Sequence, residues 1–229
     1  RAGGIAAALG TSSLNASVTE GTNLQTVSLP DSGYIKTLHL PKSIKVINIK
    51  NQLYLDERIS DDHDGFFVED NDYSNVRTLC IENCPGLSTK DILDSCRDTT
   101  GKYTVERVRL TGINWVTSAE YLINLFPQFD EEGNIISGIR GIDEKNNNLA
   151  DAYLKGTCYI ESLTGAQYAA IKEHYPYLEI RFGEMTSNIT FSYIDSEGTP
   201  HTYTESFTGY NSEFANSTEP ILDPQPYWP

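Results

Sequence analysis

The sequence predicts an α/β solenoid: strand-only rungs first, strand-helix rungs after them, and a small β segment at the end. Two observations carry this expectation. A six-residue apolar phrase recurs along the chain, and helix-capping patterns fall between its later copies. A third, strict alternation after Met185, predicts a closing hairpin.

The phrase has apolar side chains at its first, fourth and sixth positions. It stands at Leu24-Val27-Leu29, Ile35-Leu38-Leu40, Ile44-Ile47-Ile49, Val76-Leu79-Ile81 and Val105-Val108-Leu110. A weaker copy is Tyr177-Ile180-Phe182, and a partial one is Cys158-Ile160. Alternate residues of a strand share a face, so the fourth and sixth positions point into one core. Repetition of one phrase along a chain marks stacked rungs. The first three copies follow one another too closely to hold a helix between them. Pro30 and Pro41 each follow a copy, where a residue without an amide hydrogen ends the strand and turns the chain. Strands on two walls, joined by tight corners, are expected here.

From Val76 onward, helices are expected between strands. Ser88-x-x-Asp91, Thr117-x-x-Glu120 and Thr164-x-x-Gln167 follow the capping-box pattern, in which a hydroxyl accepts a first-turn amide and the second side chain reaches back. Apolar residues then recur with helical spacing at Ile92, Leu93 and Cys96, at Tyr121, Leu122 and Leu125, and at Tyr168, Ile171 and Tyr175. Pro127 and Pro176 stop the second and third helices.

The expected organisation is an irregular lead-in over 1–20, a solenoid over 20–185, a small β domain or hairpin over 186–219, and a Pro-rich tail over 220–229. Two polar segments, 51–75 and 128–153, are expected as surface insertions, which solenoids tolerate because each rung touches only its neighbours. In the terminal segment Ile189, Phe191 and Tyr193 alternate with polar residues. Asp195-Ser196-Glu197-Gly198 then turns the chain, and His201-Thr202-Tyr203-Thr204 resumes it. The opening Arg1–Gly10 is read as part of a longer polypeptide.

Val76 to Cys96 resembles a leucine-rich repeat of the cysteine-containing kind. Val76, Leu79 and Ile81 fill its L-x-x-L-x-L positions, and Cys84 stands where that repeat turns the chain. Ile113 and Met185 replace the turn residue in later units. Leu40-Pro41-Lys42-Ser43-Ile44 resembles the BspA-type repeats of bacterial surface proteins, and the terminal hairpin is similar to the β-grasp repeats of adhesins. The ensemble resembles leucine-rich minor structural proteins of gut bacteriophages. That resemblance implies an irregular leucine-rich-repeat solenoid ending in a β-grasp-like segment. It also implies a virion location, in a tail, fibre or capsid-associated protein.

Composition bounds the function. The net charge is -15, with 32 acidic against 17 basic residues and no Lys/Arg cluster, which disfavours nucleic acid and anionic lipid as partners. No apolar stretch is long enough to span a membrane. Cys80, Cys84, Cys96 and Cys158 form no C-x-x-C pair and are read as reduced thiols packed as small hydrophobes, with a disulfide from Cys80 or Cys84 to Cys96 as the alternative. His39, His63, His174 and His201 accompany no nucleophile or metal-binding motif. Asp61-Asp62-His63-Asp64-Gly65 lacks EF-hand spacing and is read as a solvated loop rather than a calcium site. No catalytic, cofactor-binding or metal-binding residue is therefore assigned. The expected function is a non-catalytic structural or recognition module. The contact face expected from strand geometry comprises Gln25, Thr37, His39, Arg77 and Arg107, with Trp115 as an aromatic docking residue. The partners expected are other virion proteins or a host-surface protein or glycan, with a homo-oligomer left open. A secreted bacterial adhesin and an accessory domain of a glycan-degrading enzyme are the alternatives.

Overall fold

The computed structural model describes residues 14–17, 25–29, 35–55, 58–60, 63–64, 73–142, 149–150 and 152–210. Seven strands form one hydrogen-bonded sheet: β1 (Thr26–Ser28), β2 (Val46–Lys50), β3 (Thr78–Glu82), β4 (Arg107–Thr117), β5 (Tyr153–Thr164), β6 (Leu178–Ile194) and β7 (Pro200–Tyr210). Their order in the sheet is their order in the chain. Strands β1 to β4 run parallel. Strands β6 and β7 are antiparallel, so the sheet is mixed. Short two-stranded pairings join Leu14–Ser17 to Ile35–His39, Arg58–Ser60 to His63–Asp64, Gln128–Phe129 to Ile135–Ser137, and Gly141–Ile142 to Leu149–Ala150.

The recurring phrase builds the parallel part directly. Val27, Ile47, Leu79 and Val108 occupy one register row, and Ile49, Ile81 and Leu110 another. Ile47, Ile49, Leu79, Ile81, Val108 and Leu110 are each 0% exposed. Rows of branched side chains at the same height on neighbouring strands pack side against side, and burying each contributes about 1.5–3 kcal/mol.

The α/β leucine-rich-repeat solenoid expected above is not the fold. The described chain is mainly β, a mixed sheet with few helices: α1 (Thr89–Ser95), α2 (Ala119–Asn124) and α3 (Gly165–His174). The phrase encodes two-residue periodicity, which specifies a buried strand face but not a coil that closes on itself. Its copies also part company. The Ile35 copy belongs to a separate two-stranded sheet, whereas the copies before and after it join the main one. The Tyr177 copy opens β6, which runs unbroken past residue 186 into an antiparallel hairpin.

The chain divides into two compact units, Arg1–Ile113 with Leu125–Gly156, and Asn114–Asn124 with Thr157–Pro229. In the first, Ile92, Leu93 and Cys96 of the α1 segment and Ile139 join the core at 0% exposure. Leu55, Tyr73 and Ile139 lie in the segments expected to be surface insertions, yet all three are buried. Ser88 caps α1 by accepting the Asp91 amide at 3.4 Å. In the second unit α2 packs on α3, and α3 on β6, with Tyr168 edge-on to Phe182 at 6.1 Å. Thr164 and Gln167 form a complete capping box, with bonds of 3.1 and 2.8 Å. The cap of α2 is Ser118, which accepts the Tyr121 amide at 3.1 Å; the expected Thr117 ends β4 instead.

Candidate recognition surface

The hairpin of β6 and β7 extends a strict antiparallel register from Glu184↔Tyr210 to Ile194↔Pro200. Its tip is built by Asp195. Asp195 Oδ1 accepts the amides of Glu197 at 2.9 Å and Thr199 at 2.8 Å, and Oδ2 lies 2.7 Å from His201 Nε2. The His201 contact leads the interactions that hold the Asp195 carboxyl below its usual range.

Directly opposed residues share a face. One face therefore carries Ile189 with Glu205, Phe191 with Tyr203, Tyr193 with His201, and Phe207 beside Ser187. The other carries Asn188 with Ser206 and Thr190 with Thr204, which hydrogen-bond across the strands at 2.6 and 3.1 Å. The first face is apolar and open to solvent: Phe191 is 52% exposed, Tyr193 57% and Tyr203 57%. Tyr193 and His201 stack at 5.1 Å, which stiffens the upper end of this row.

Such a ribbon is unusual on its own. An isolated two-stranded ribbon is marginally stable in water, and contiguous exposed apolar surface marks a place where something docks. The magnitude says how. The stretch opposite Asn188 to Ile194 is roughly 20 Å long and about 10 Å wide, on the order of 200 Å² per face. One partner of a standard interface contributes about 800 Å². A ribbon laid flat offers about a quarter of that, whereas one gripped on both faces and along its edge offers on the order of 500 Å², the size of a small or transient interface. Among the described residues strand β7 is the last strand of the sheet, an edge to which a further strand can pair.

Of the expected contact residues, Gln25, Arg77 and Arg107 stand at the starts of parallel strands, where the Lys45 amide donates to the Gln25 carbonyl at 2.9 Å and the Arg77 amide to the Lys45 carbonyl at 2.8 Å. Gln25 and Arg107 are exposed, and Arg77 is half-buried with its guanidinium turned onto the carbonyls of Ser74 and Val76 at 3.4 and 3.3 Å. Arg77 and Arg107 are brought together by the backbone alone, through the Arg107 amide to the Arg77 carbonyl at 3.0 Å. Thr37 and His39 lie outside the described side chains.

Trp115 is a correction. It is 4% exposed and packs edge-on to Tyr121 at 6.2 Å, so it is core and not a docking residue. The reason is Gly112, whose φ of +74° breaks the alternation of β4. Val108 and Leu110 point inward before it, and Ile113 and Trp115 after it. A single left-handed residue thus moves the odd-numbered side chains from outside to inside. The apolar ribbon face was carried in the sequence by the alternation of Ile189, Phe191 and Tyr193. That signal predicts a hairpin, but it does not say that its apolar side chains stay exposed.

All four cysteines are free, and Cys84, Cys96 and Cys158 are buried. Among the described residues no group of three His, Cys, Asp or Glu side chains is placed to hold a metal ion. Most of the Asp61–Gly65 loop, the lead-in and the Pro-rich tail lie outside the described residues. No helix among the described residues is long and apolar enough to cross a membrane. Compared with known protein families, with curated proteins and with solved structures, the chain matches none.

Proposed function

We propose that this chain is a non-catalytic structural or recognition module, acting through a protein partner that clasps the β6–β7 ribbon. The observation that carries the reading is the row Ile189, Phe191, Tyr193, Tyr203 and Phe207, five large apolar side chains exposed on one side of a two-stranded ribbon. Aromatic anchors of this kind supply most of the energy in protein interfaces. The opposite face of Thr, Ser and Asn offers hydrogen bonds without the desolvation cost of charges. The setting we assign is a bacteriophage virion, in a tail, fibre or capsid-associated protein; it rests on the sequence resemblance alone.

Hydrogen exchange on the isolated chain and on the parent assembly tests the mode of action. Outer amides of β7 should exchange freely in isolation and slow at least tenfold in the assembly. A double Phe191→Ser, Tyr203→Ser variant should keep the melting temperature of the chain yet fail to incorporate. Equal exchange in both states, or normal incorporation of the variant, overturns the proposal.

A further inference from the structure

All 17 basic residues stand at or before Arg181, so residues 182–229 hold no Lys or Arg. The ribbon nevertheless carries Glu184, Asp195, Glu197 and Glu205, with His201 as its one basic side chain. Asp195 is satisfied within the tip, by the turn amides and by His201. Among the described residues neither Glu197 nor Glu205 is in an ion pair, and both are exposed. Whatever docks on this ribbon therefore meets negative charge that the ribbon itself does not balance.

The backbone of β7 adds a second observation. The Asp195 amide donates to the Thr199 carbonyl at 3.0 Å, which makes the two a hydrogen-bonded pair. Such pairs alternate along an antiparallel ladder. His201, Tyr203 and Glu205 therefore turn their amides and carbonyls toward β6, and Thr202, Thr204 and Ser206 turn theirs away from it. Pro200 falls on the outward set, where a missing amide hydrogen costs the β6–β7 ladder nothing. Sheet edges are commonly blunted by Lys, by a bulge or by further Pro. Beyond Pro200 this edge has none of these: its register with β6 is unbroken to Tyr210, and its Thr, Tyr and Phe residues favour extended backbone. Residues 200–208 are all exposed.

We infer, building on the docking role proposed for the ribbon, that its partner supplies an extended basic segment, which adds as a strand beside β7 with a Lys or Arg opposite Glu205. Main-chain bonds to the outward amides and carbonyls hold such a strand, and alternate side chains select it. A long cationic side chain opposite Glu205 lays its apolar stem along the Tyr203 and Phe207 side of the ribbon and brings its charge to the carboxylate. The acidic field around the ribbon draws basic segments in and holds acidic ones off. A second copy of this chain is disfavoured on the same ground, because it brings a net charge of -15 against -15.

Amide NMR titration of the full chain with the end-capped peptide Lys-Thr-Lys-Thr-Lys-Thr-Lys tests this, since all its Lys side chains share one strand face. Binding is expected with a dissociation constant on the order of 1 mM, weak because a short free peptide must be ordered. The amides of Thr202, Thr204 and Ser206 should shift most. The peptide with Glu in place of each Lys should bind at least tenfold more weakly. So should the peptide with Pro in place of each Thr, which keeps the charge but loses the donors that face β7. Glu205→Gln should weaken the Lys peptide about threefold and, at an exposed position, leave the melting temperature unchanged. No binding at about 10 mM Lys peptide, or equal binding of the Glu or Pro peptide, overturns the inference. Shifts of the same amides on concentrating the chain alone would make the occupant a second copy, and overturn it too. Slowed exchange of β7 in the parent assembly alongside any of these results leaves the docking role standing, so the two can fail separately.

Discussion

Asn83 donates its side-chain amide to the side-chain oxygen of Asn51 at 2.9 Å, and both residues hold left-handed backbone, with φ of 53° and 52°. Each stands one residue after its strand, Lys50 and Glu82 being the last register pair of β2 and β3. The Asn51 amide donates to the Glu82 carbonyl at 2.9 Å, so the two corners are tied by backbone as well as side chain. Asn is tolerated in this conformation because its short polar side chain bonds locally, whereas a β-branched residue clashes. Asn83→Val should lower stability by about 2 kcal/mol, and Asn83→Gly by about 1 kcal/mol or less, in urea denaturation. Equal losses for the two substitutions would show that the hydrogen bond, and not the backbone, sets the cost.

Glu82 links the three parallel strands on their outer side. Its carboxylate lies 2.8 Å from Lys50 Nζ and 3.4 Å from Arg109 Nε, while the Arg109 guanidinium stacks 4.0 Å over the Tyr153 ring. Partial burial pushes the Glu82 carboxyl upward, but hydrogen bonds from Lys50 and Cys80 and the two nearby positive charges outweigh it and hold the group below its ordinary 4.5. A carboxyl depressed by folding stabilises the protein above its unfolded value, and that contribution fades as pH falls through the folded value. Lys50, bonded to Glu82, is raised above its ordinary 10.5, so its share is complete below that pH and lost above it. Glu82→Gln should cost about 1 kcal/mol at pH 7 and much less below pH 4. Denaturation curves of both proteins at pH 3, 5 and 7 check this; a cost that does not change with pH refutes it.

Burial keeps the thiols protonated. It raises Cys80 to about 11 and Cys96 and Cys158 to about 12. The folded chain should therefore resist iodoacetamide at pH 8, and all four thiols should react at once in urea. A thiol raised by folding contributes fully below its unfolded value of 9.0 and loses that contribution as pH rises toward 11 or 12. Melting temperatures should fall between pH 9 and pH 11 by more in the native chain than in a Cys96→Ala, Cys158→Ala variant.

The burial of the parallel strands was legible in the sequence because Leu79, Ile81, Val108 and Leu110 repeat one spacing, and spacing is what a pleated strand converts into a face. The hairpin was legible for the same reason. Closure of the chain into a solenoid was not, because the same phrase serves a strand in any sheet. Trp115 was misplaced because a period of two carries no warning of the left-handed step at Gly112.

Two glycines with left-handed φ separate strain from collision. Gly112 has φ +74°, and a methyl group added there would lie 3.7 Å from the Asn83 Cα, an ordinary contact. Gly156 has φ +142°, and the same methyl would run into the backbone nitrogen and carbonyl oxygen of Ile113. In Gly112→Ala only the backbone preference is violated, worth about 1 kcal/mol. In Gly156→Ala the β5 backbone must also move away from Ile113, which is 3% exposed and part of the core. That displacement opens packing as well as hydrogen bonds, and a loss of about 3 kcal/mol or more is expected. Guanidinium denaturation of the two variants measures the difference directly. Should both cost the same, the close approach of Gly156 to Ile113 is not what requires glycine there.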